Sequence, residues 1–548
     1  MTAMRAYRTL IAAFVAFLAL VGGGALMQQA ATAHEAEAFD RAQLRRVERI
    51  ISERYVEEVD TDQLYRMAID GMLDRLGDPH STFIDVEDAT DLEITTTGNY
   101  GGLGIRVQKV GDWVTVMSVI ASTPAEREGL LTGDRIIAVD RESVAGWDES
   151  LVIERLRGPI GDPVTVTVAR VGVATSIHLT ITRAEVHVPP VLAYMYDGIG
   201  IARLAQFSRE STEELREAIG KLVLAGARGL VLDLRGNPGG LLEEGVAVSD
   251  LFLPRGVTIV TTASRIEEQN YAFVATEGDA FKDLPIVVLV NGSSASASEI
   301  VAGALQDHDR ALILGTPSFG KGSMQTVYLL PGGHHLKLTT ANWYTPSGRS
   351  IENEHELAKV TVVGSDGGTL GPVREITVAP EREVFHTTAG RPVYGGGGIV
   401  PDVIVADSLS VVEREFGAAL NRQALSIRQL AFRFAVTWNG EHPGLDPEFE
   451  VTSDMRVAFL ALLRSEGVEL DDDLFDSVQN LVDRFLAVQL ANIAFGELEA
   501  LRRSQREERQ VLEAVDRLIE AASVEDLLDA VADDKDNTAT QPDASATG

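Results

Sequence analysis

Two short segments hold the residue types from which a nucleophile and its base could be built: Ser293-Ser294-Ala295-Ser296-Ala297-Ser298-Glu299-Ile300 and Ser318-Phe319-Gly320-Lys321-Gly322. The first follows an apolar run, Ile286 to Val290, that reads as a buried strand, and it opens an amphipathic helix carrying Ile300, Val301, Ala304 and Leu305. A serine at that point stands at a helix N-terminus, where backbone N–H groups point outward and the dipole favours negative charge. Serine is also a preferred N-cap, so these residues alone leave capping and catalysis both open. Lys321 follows the apolar run Ala311 to Leu314. Its loop is therefore expected at the same end of a sheet, where ligands gather in open α/β layers. A lysine desolvated by apolar neighbours loses its proton more readily, and can then take one from a serine and return it to a leaving amine. A solvated loop lysine is the alternative.

These runs, in this order, resemble the C-terminal processing peptidases, also called tail-specific proteases, which are PDZ-containing Ser-Lys serine peptidases. In that family the nucleophile is the middle serine of an S/T-A-S-A-S-E run, which falls on Ser296, and the base is the lysine of F-G-K-G, which falls on Lys321. The family's glutamine four positions further on is Gln325. On a strand that interval keeps both side chains on one face, so the amide can orient the lysine amine. Acyl transfer also needs donors aimed at the developing oxyanion. In Asp233-Leu234-Arg235-Gly236-Asn237-Pro238-Gly239-Gly240 an expected strand ends in a loop whose glycines let backbone N–H groups approach a ligand. The family pattern puts one donor in the pair Gly239 and Gly240, with Gly240 preferred, and the second at the backbone N–H of Ala297. Asp307, a supporting position in some members, reads equally as a solvated acid at a helix end. Upstream, Gly101, Gly102, Leu103, Gly104 and Ile105, after Tyr100, resemble the carboxylate-binding loop of PDZ domains, whose backbone N–H groups hold a chain-terminal carboxylate while the substrate adds as an extra strand. Pro124-Ala125, Gly129-Leu130, Gly133-Asp134 and Leu156-Arg157-Gly158 continue that pattern. The resemblance spans roughly residues 44 to 405 and implies protein or peptide substrates with free C-termini, cleaved through an acyl-enzyme without cofactor or metal.

Other chemistries fit less well. Gly315 to Lys321 reads as most of a Walker A loop, but Gly322 stands where Ser or Thr should hold magnesium, and a strand pattern follows in place of a helix. Ser318-x-x-Lys321 would need a helix that its glycine-rich surroundings oppose, and neither S-D-N nor K-T-G accompanies it. A Ser-His-Asp triad could draw on His308 between Asp307 and Asp309, yet no G-x-S-x-G elbow is present, and helix geometry turns His308 away from Ser296. A PDZ scaffold with an inactive protease-like domain is the non-enzymatic alternative, against which Ser296, Lys321 and Gln325 all stand intact.

The elements that must position these residues follow from periodicity and length. A chain of 548 residues exceeds what one core serves. Helical spacing dominates residues 34–97, with Leu44, Val47, Ile50, Ile51 and Tyr55, then Leu64, Met67, Met72 and Leu73. A period of two marks a PDZ-like β domain over 98–186. Short apolar runs alternating with helices give an α/β serine protease core over 187–405, with an insertion over about 352–398 and its most flexible part at Gly395 to Gly398. A helical region is expected over 406–532, suited to packing or dimerisation, and a disordered tail over 533–548. The expected class is thus multidomain α+β.

At the N-terminus Arg5 and Arg8 precede an apolar run from Leu10 to Met27, followed by Ala31-Thr32-Ala33, which is an export pattern over residues 1–33. Cleavage after Ala33 and retention as a membrane anchor both fit, and both imply a periplasmic or otherwise extracytoplasmic protein. The formal net charge of −34 opposes nucleic-acid binding. With no cysteine, disulfides, thiolate metal sites and a cysteine nucleophile are excluded. A homo-oligomer is expected.

Overall fold

The structure, a computed structural model, describes residues 41–353, 382–406, 410–422 and 425–539. The export pattern, most of the insertion and the last nine residues lie outside the described residues. The described residues divide into two units, those up to Ile84 with 335–338, and the remainder. In the first, helices Arg41–Arg54 and Thr61–Asp74 precede a short strand, Thr82–Ile84, that pairs antiparallel with His335–Lys337. Leu44, Val47, Ile50, Met67 and Met72 are exposed on these helices.

The second unit begins with a β domain. Its sheet runs in the order Ile105–Val110, Trp113–Val119, Arg135–Val139, Pro163–Ala169, Ile177–Thr182, with Ile105–Val110 at one edge. Alternate residues Val164, Val166 and Val168 point into a core shared with Leu103, Val116, Ile136 and, from helix Glu149–Leu156, Val152 and Leu156.

The α/β layer follows. Strands Val191–Tyr196 and Ile199–Leu204 are antiparallel, and from the second onward Leu230–Asp233, Ile286–Val290, Leu312–Gly315 and Val403–Ile404 are added in parallel, in sequence order. Right-handed crossovers between strands taken in order send the connecting helices to one face. Leu215 and Ile219 of helix Ser211–Leu224, Val248 of helix Leu242–Asp250, and Ile300 and Leu305 of helix Ala297–Asp307 accordingly pack with Leu230, Leu232, Ile286 and Val288. The alternate residues Ile201, Val231, Val287, Leu289 and Leu314 face the other way. A parallel sheet needs both faces covered, and the cover comes from the end of the chain. Val511, Val515 and Leu518 of helix Arg509–Glu520, and Leu527 and Leu528 of helix Val524–Ala539, fill that second core. Helices between 411 and 495 form a separate apolar cluster around Phe416, Leu430, Phe459 and Leu486.

Three sequence expectations are modified. The final helix continues to Ala539, into the stretch expected to be tail, since extending a helix costs less than nucleating one. The insertion returns through a hairpin, Val384–His386 with Pro392–Tyr394, before the sheet strand Val403–Ile404. Gly395 to Gly398 is tied down where flexibility is expected: the Gly395, Gly396 and Gly398 N–H groups donate to Glu383, Ser350 and Ile351 carbonyls at 3.0, 2.8 and 3.0 Å.

Candidate active site

The turn from strand Ile286–Val290 into helix Ala297–Asp307 places Ser296 at φ 54°, ψ −112°. Serine and threonine caps elsewhere in the chain take the extended conformation: Ser410 lies at φ −63°, ψ 167°, and Thr452 at φ −87°, ψ 165°. The Ser296 backbone thus departs from that of the other caps although the residue shares a capping box with Glu299, and a strained backbone at a strand-to-helix turn is a geometry that can project a nucleophile. The residue is half-buried.

Glu299, one turn on and fully buried, joins this turn to the lysine loop. Its Oε2 accepts the Ser296 N–H at 2.8 Å and the Lys321 N–H at 3.0 Å. Its Oε1 accepts the Ser318 hydroxyl at 2.6 Å and the Gly320 N–H at 2.7 Å. With one oxygen holding both amides, the backbones of Ser296 and Lys321 are within about 6 Å. Burial pushes the Glu299 carboxyl above its usual range, and hydrogen bonds from Ser318, Lys321, Gly320 and Ser296 oppose that rise. The loop is closed further by Phe319 N–H to Ser294 O at 3.0 Å and Asn353 N–H to Gly320 O at 2.9 Å. Gly398 sits so close to Ser318 that a Cβ would lie 2.4 Å from its carbonyl oxygen. Lys321, like Ser296, is half-buried.

Gln325 lies on strand Ser323–Leu329, and Lys321 precedes that strand, so the one-face argument does not extend to the lysine. The Gln325 amide donates to Ser323 Oγ at 3.2 Å and to Thr339 Oγ1 at 3.3 Å.

The glycine loop meets the serine turn directly. A Cβ on Gly239, at φ +98°, would lie 2.9 Å from Ser296 Cβ and 3.0 Å from Ala297 N. Buried Asn237 fixes this approach. Its Nδ2 donates to Leu204 O at 2.8 Å, its Oδ1 accepts the Gly239 N–H at 2.9 Å, and its carbonyl accepts Ala295 N–H at 3.0 Å and Ser298 Oγ at 2.9 Å. The Gly239 amide is therefore occupied. The N–H groups of Gly240 and of Ala297 donate to no group among the described residues, which leaves both open to an added acceptor.

Asp307 is not a solvated acid: it is buried and paired with fully buried Arg349 at 2.8 Å, and it accepts the Ser347 N–H at 2.9 Å. His308 Nε2 faces the Thr258 carbonyl at 2.6 Å, which leaves no triad through this histidine.

In the β domain, Gly101 and Gly102 belong to strand Asn99–Gly102, paired with Ala184–His187, while Leu103 is core. Gly104, at φ +88°, would place a Cβ 2.2 Å from Thr123. The Leu103 and Gly104 carbonyls accept the Ala125 and Ile120 N–H groups, each at 2.9 Å. Burial raises the pKa of Tyr100, which precedes this loop, against the opposing pull of Arg157 and of the Gly104 and Ile105 amides. Sequence reasoning assigns no role to Tyr100, Asn237 or Glu299. Of these only Glu299 carries a local signal, the Ser-x-x-Glu spacing of a capping box.

Comparison with known proteins assigns the domains to families. Residues 198–362 match the model of peptidase family S41, residues 101–181 the PDZ domain, and residues 22–88 the activating protease CtpB N-terminal domain. The carboxy-terminal-processing protease of Bartonella bacilliformis is 45% identical over 303 residues, covering 55% of this chain and 69% of that protein. The carboxy-terminal processing protease CtpA of Bacillus subtilis is 34% identical over 347 residues, covering 63% and 73%. A solved structure of a photosystem II D1 C-terminal processing protease is 30% identical, covering 56% of this chain and 88% of that one, with a TM-score of 0.33. With catalytic and PDZ regions both matched and more than two thirds of these two relatives covered, the chain belongs to the carboxy-terminal processing proteases of peptidase family S41, serine-type peptidases that carry a PDZ domain.

Proposed function

We propose that Ser296 and Lys321 form the catalytic pair of this peptidase. Neutral Lys321 takes the Ser296 hydroxyl proton as Oγ attacks the scissile carbonyl. The resulting oxyanion accepts from the Gly240 and Ala297 N–H groups. Collapse breaks the C–N bond, the lysine returns the proton to the leaving amine, and a water deprotonated by the same lysine hydrolyses the acyl-enzyme to a free acid. With its amide nitrogen given to Ser323 and Thr339, Gln325 orients the lysine amine through Oε1. The observation that carries this reading is the single oxygen of Glu299 that receives both the Ser296 and the Lys321 amide. Substrate tails bind at the loop Gly101 to Ile105, their carboxylates accepting from its backbone N–H groups.

The test is Lys321→Arg, because arginine stays charged across the accessible pH range. Turnover should nearly vanish, while wild-type activity rises with pH as the base loses its proton. Retention of most activity would assign the base elsewhere.

The chain acts outside the cytoplasm, exported through its N-terminal segment and either released or held by it at the membrane; fractionation of tagged protein tests this. It self-associates, a reading supported by the apolar residues exposed on helices Arg41–Arg54 and Thr61–Asp74. A monomer by light scattering at micromolar concentration would refute it.

A further inference from the structure

Strand alternation places Asp233 on the same side of the sheet as Val231, toward the helices from the end of the chain. There it meets Gln505, the last residue of helix Glu497–Gln505. Gln505 is buried, donates from Nε2 to Asp233 Oδ2 at 2.8 Å and accepts the Tyr194 hydroxyl at 2.5 Å. Arg235 is held by Asp233 at 2.8 Å and, on its outer side, by Glu508, which receives both terminal nitrogens. Gln510 adds a contact to Arg235 Nη1 at 2.9 Å while its amide nitrogen donates to the Val405 carbonyl at 2.7 Å. Burial alone would raise the Asp233 carboxyl, and the Arg235 charge holds it below its usual value instead. Three groups from the chain's last helices thus close on the two residues that lead into Gly239 and Gly240. The other end of helix Glu497–Gln505 touches the β domain: Glu497 pairs with Arg106 at 2.5 Å, directly after Ile105, and Asn492 just before the helix donates to the Met117 carbonyl at 3.1 Å.

We propose that Gln505 and Glu508 are positioning residues for acyl transfer, clamping Asp233 and Arg235 so that the Gly240 N–H is aimed at the oxyanion, and that helix Glu497–Gln505 links this clamp to the PDZ strand. The proposal rests on the assignment of Ser296 as nucleophile and Gly240 as donor. A group that only stabilises the fold changes the fraction of active molecules. A group that aims an oxyanion donor lowers kcat and weakens a tetrahedral analogue while leaving ground-state binding alone.

The experiment compares full-length wild type, Glu508→Ala, Glu508→Gln and Ser296→Ala with a short peptide substrate and a peptide boronate, which becomes a tetrahedral anion on a serine. Rates are taken per folded molecule. Glu508→Ala should lower kcat about tenfold with KM within about twofold, and raise the boronate Ki by a similar factor. Glu508→Gln, which keeps an acceptor for Arg235, should lose less. Should Glu508→Ala not fold, Glu508→Gln decides through the same ratio of kcat to KM. Wild-type kcat and boronate Ki in both variants, or a rise confined to KM, would overturn the clamp. Boronate affinity undiminished in Ser296→Ala would instead remove the serine assignment beneath it, so the two failures are distinct.

Discussion

At the residue scale, the approach of Gly239 to the serine turn constrains the site. Its φ of +98° disfavours any L side chain, and an added Cβ would lie 2.7 Å from the Ala295 carbonyl oxygen and 2.9 Å from Ser296 Cβ. Gly239→Ala must push the loop away from Ala297 and so displace the neighbouring Gly240 N–H. Loss of one oxyanion donor is worth about 100-fold or more in kcat. Steady-state kinetics should therefore show a fall of about that size with KM little changed, and wild-type kcat would mean that the loop does not serve the oxyanion. Ser296, Lys321 and the glycine pair are singled out in the sequence by the order of their runs, since each residue alone has an ordinary structural alternative. The work of Glu299 is not legible: Ser-x-x-Glu announces a cap, and only the fold brings Ser318, Gly320 and Lys321 to the same carboxylate. Asn237 is hidden for a like reason, since its partners Leu204 and Ala295 are distant in sequence. Gln325 does not share a strand face with Lys321, because the strand opens at Ser323, after the lysine.

At the scale of elements, the parallel strands added in sequence order force the crossover helices to one face and leave the other to be covered by something else. Helix Arg509–Glu520 supplies much of that cover, and Leu518 packs so closely on Gly229 that a Cβ there would lie 2.9 Å from Leu518 Cδ2. Leu518→Ala should cost about 2–5 kcal/mol of stability, read as a lowered denaturation midpoint with an unchanged denaturant slope. A loss under 1 kcal/mol would mean that this helix does not seal the sheet. The alternation of strands and helices is legible in the sequence, and so is the helical character of the last third. Which surface those helices cover is not: Val511, Ala514, Val515 and Leu518 declare a buried stripe without naming its partner.

At the scale of the molecule, tail reading and bond breaking occupy different domains of one unit, so their contributions separate in kinetics. Amidating a substrate's C-terminus removes the charge that the Gly104 and Ile105 amides would hold. Turnover at low substrate concentration should fall while cleavage positions stay the same, because tethering raises local concentration and leaves the chemistry unaltered. Equal cleavage of amidated and free-acid peptides would remove the tail-reading role from this loop. The division into domains is legible from changes of period along the chain, whereas the links between them, such as Arg106 with Glu497, are not, since they join exposed charges almost four hundred positions apart.

The proposed mechanism stands on Ser296 as the nucleophile. Purified Ser296→Ala and wild-type protein, incubated with an unstructured test protein and followed by mass spectrometry, test it most directly. Wild type should yield cleavage products and Ser296→Ala none above the enzyme-free blank, with the variant folded and still binding the substrate tail. Cleavage by Ser296→Ala at the wild-type rate and positions would contradict it.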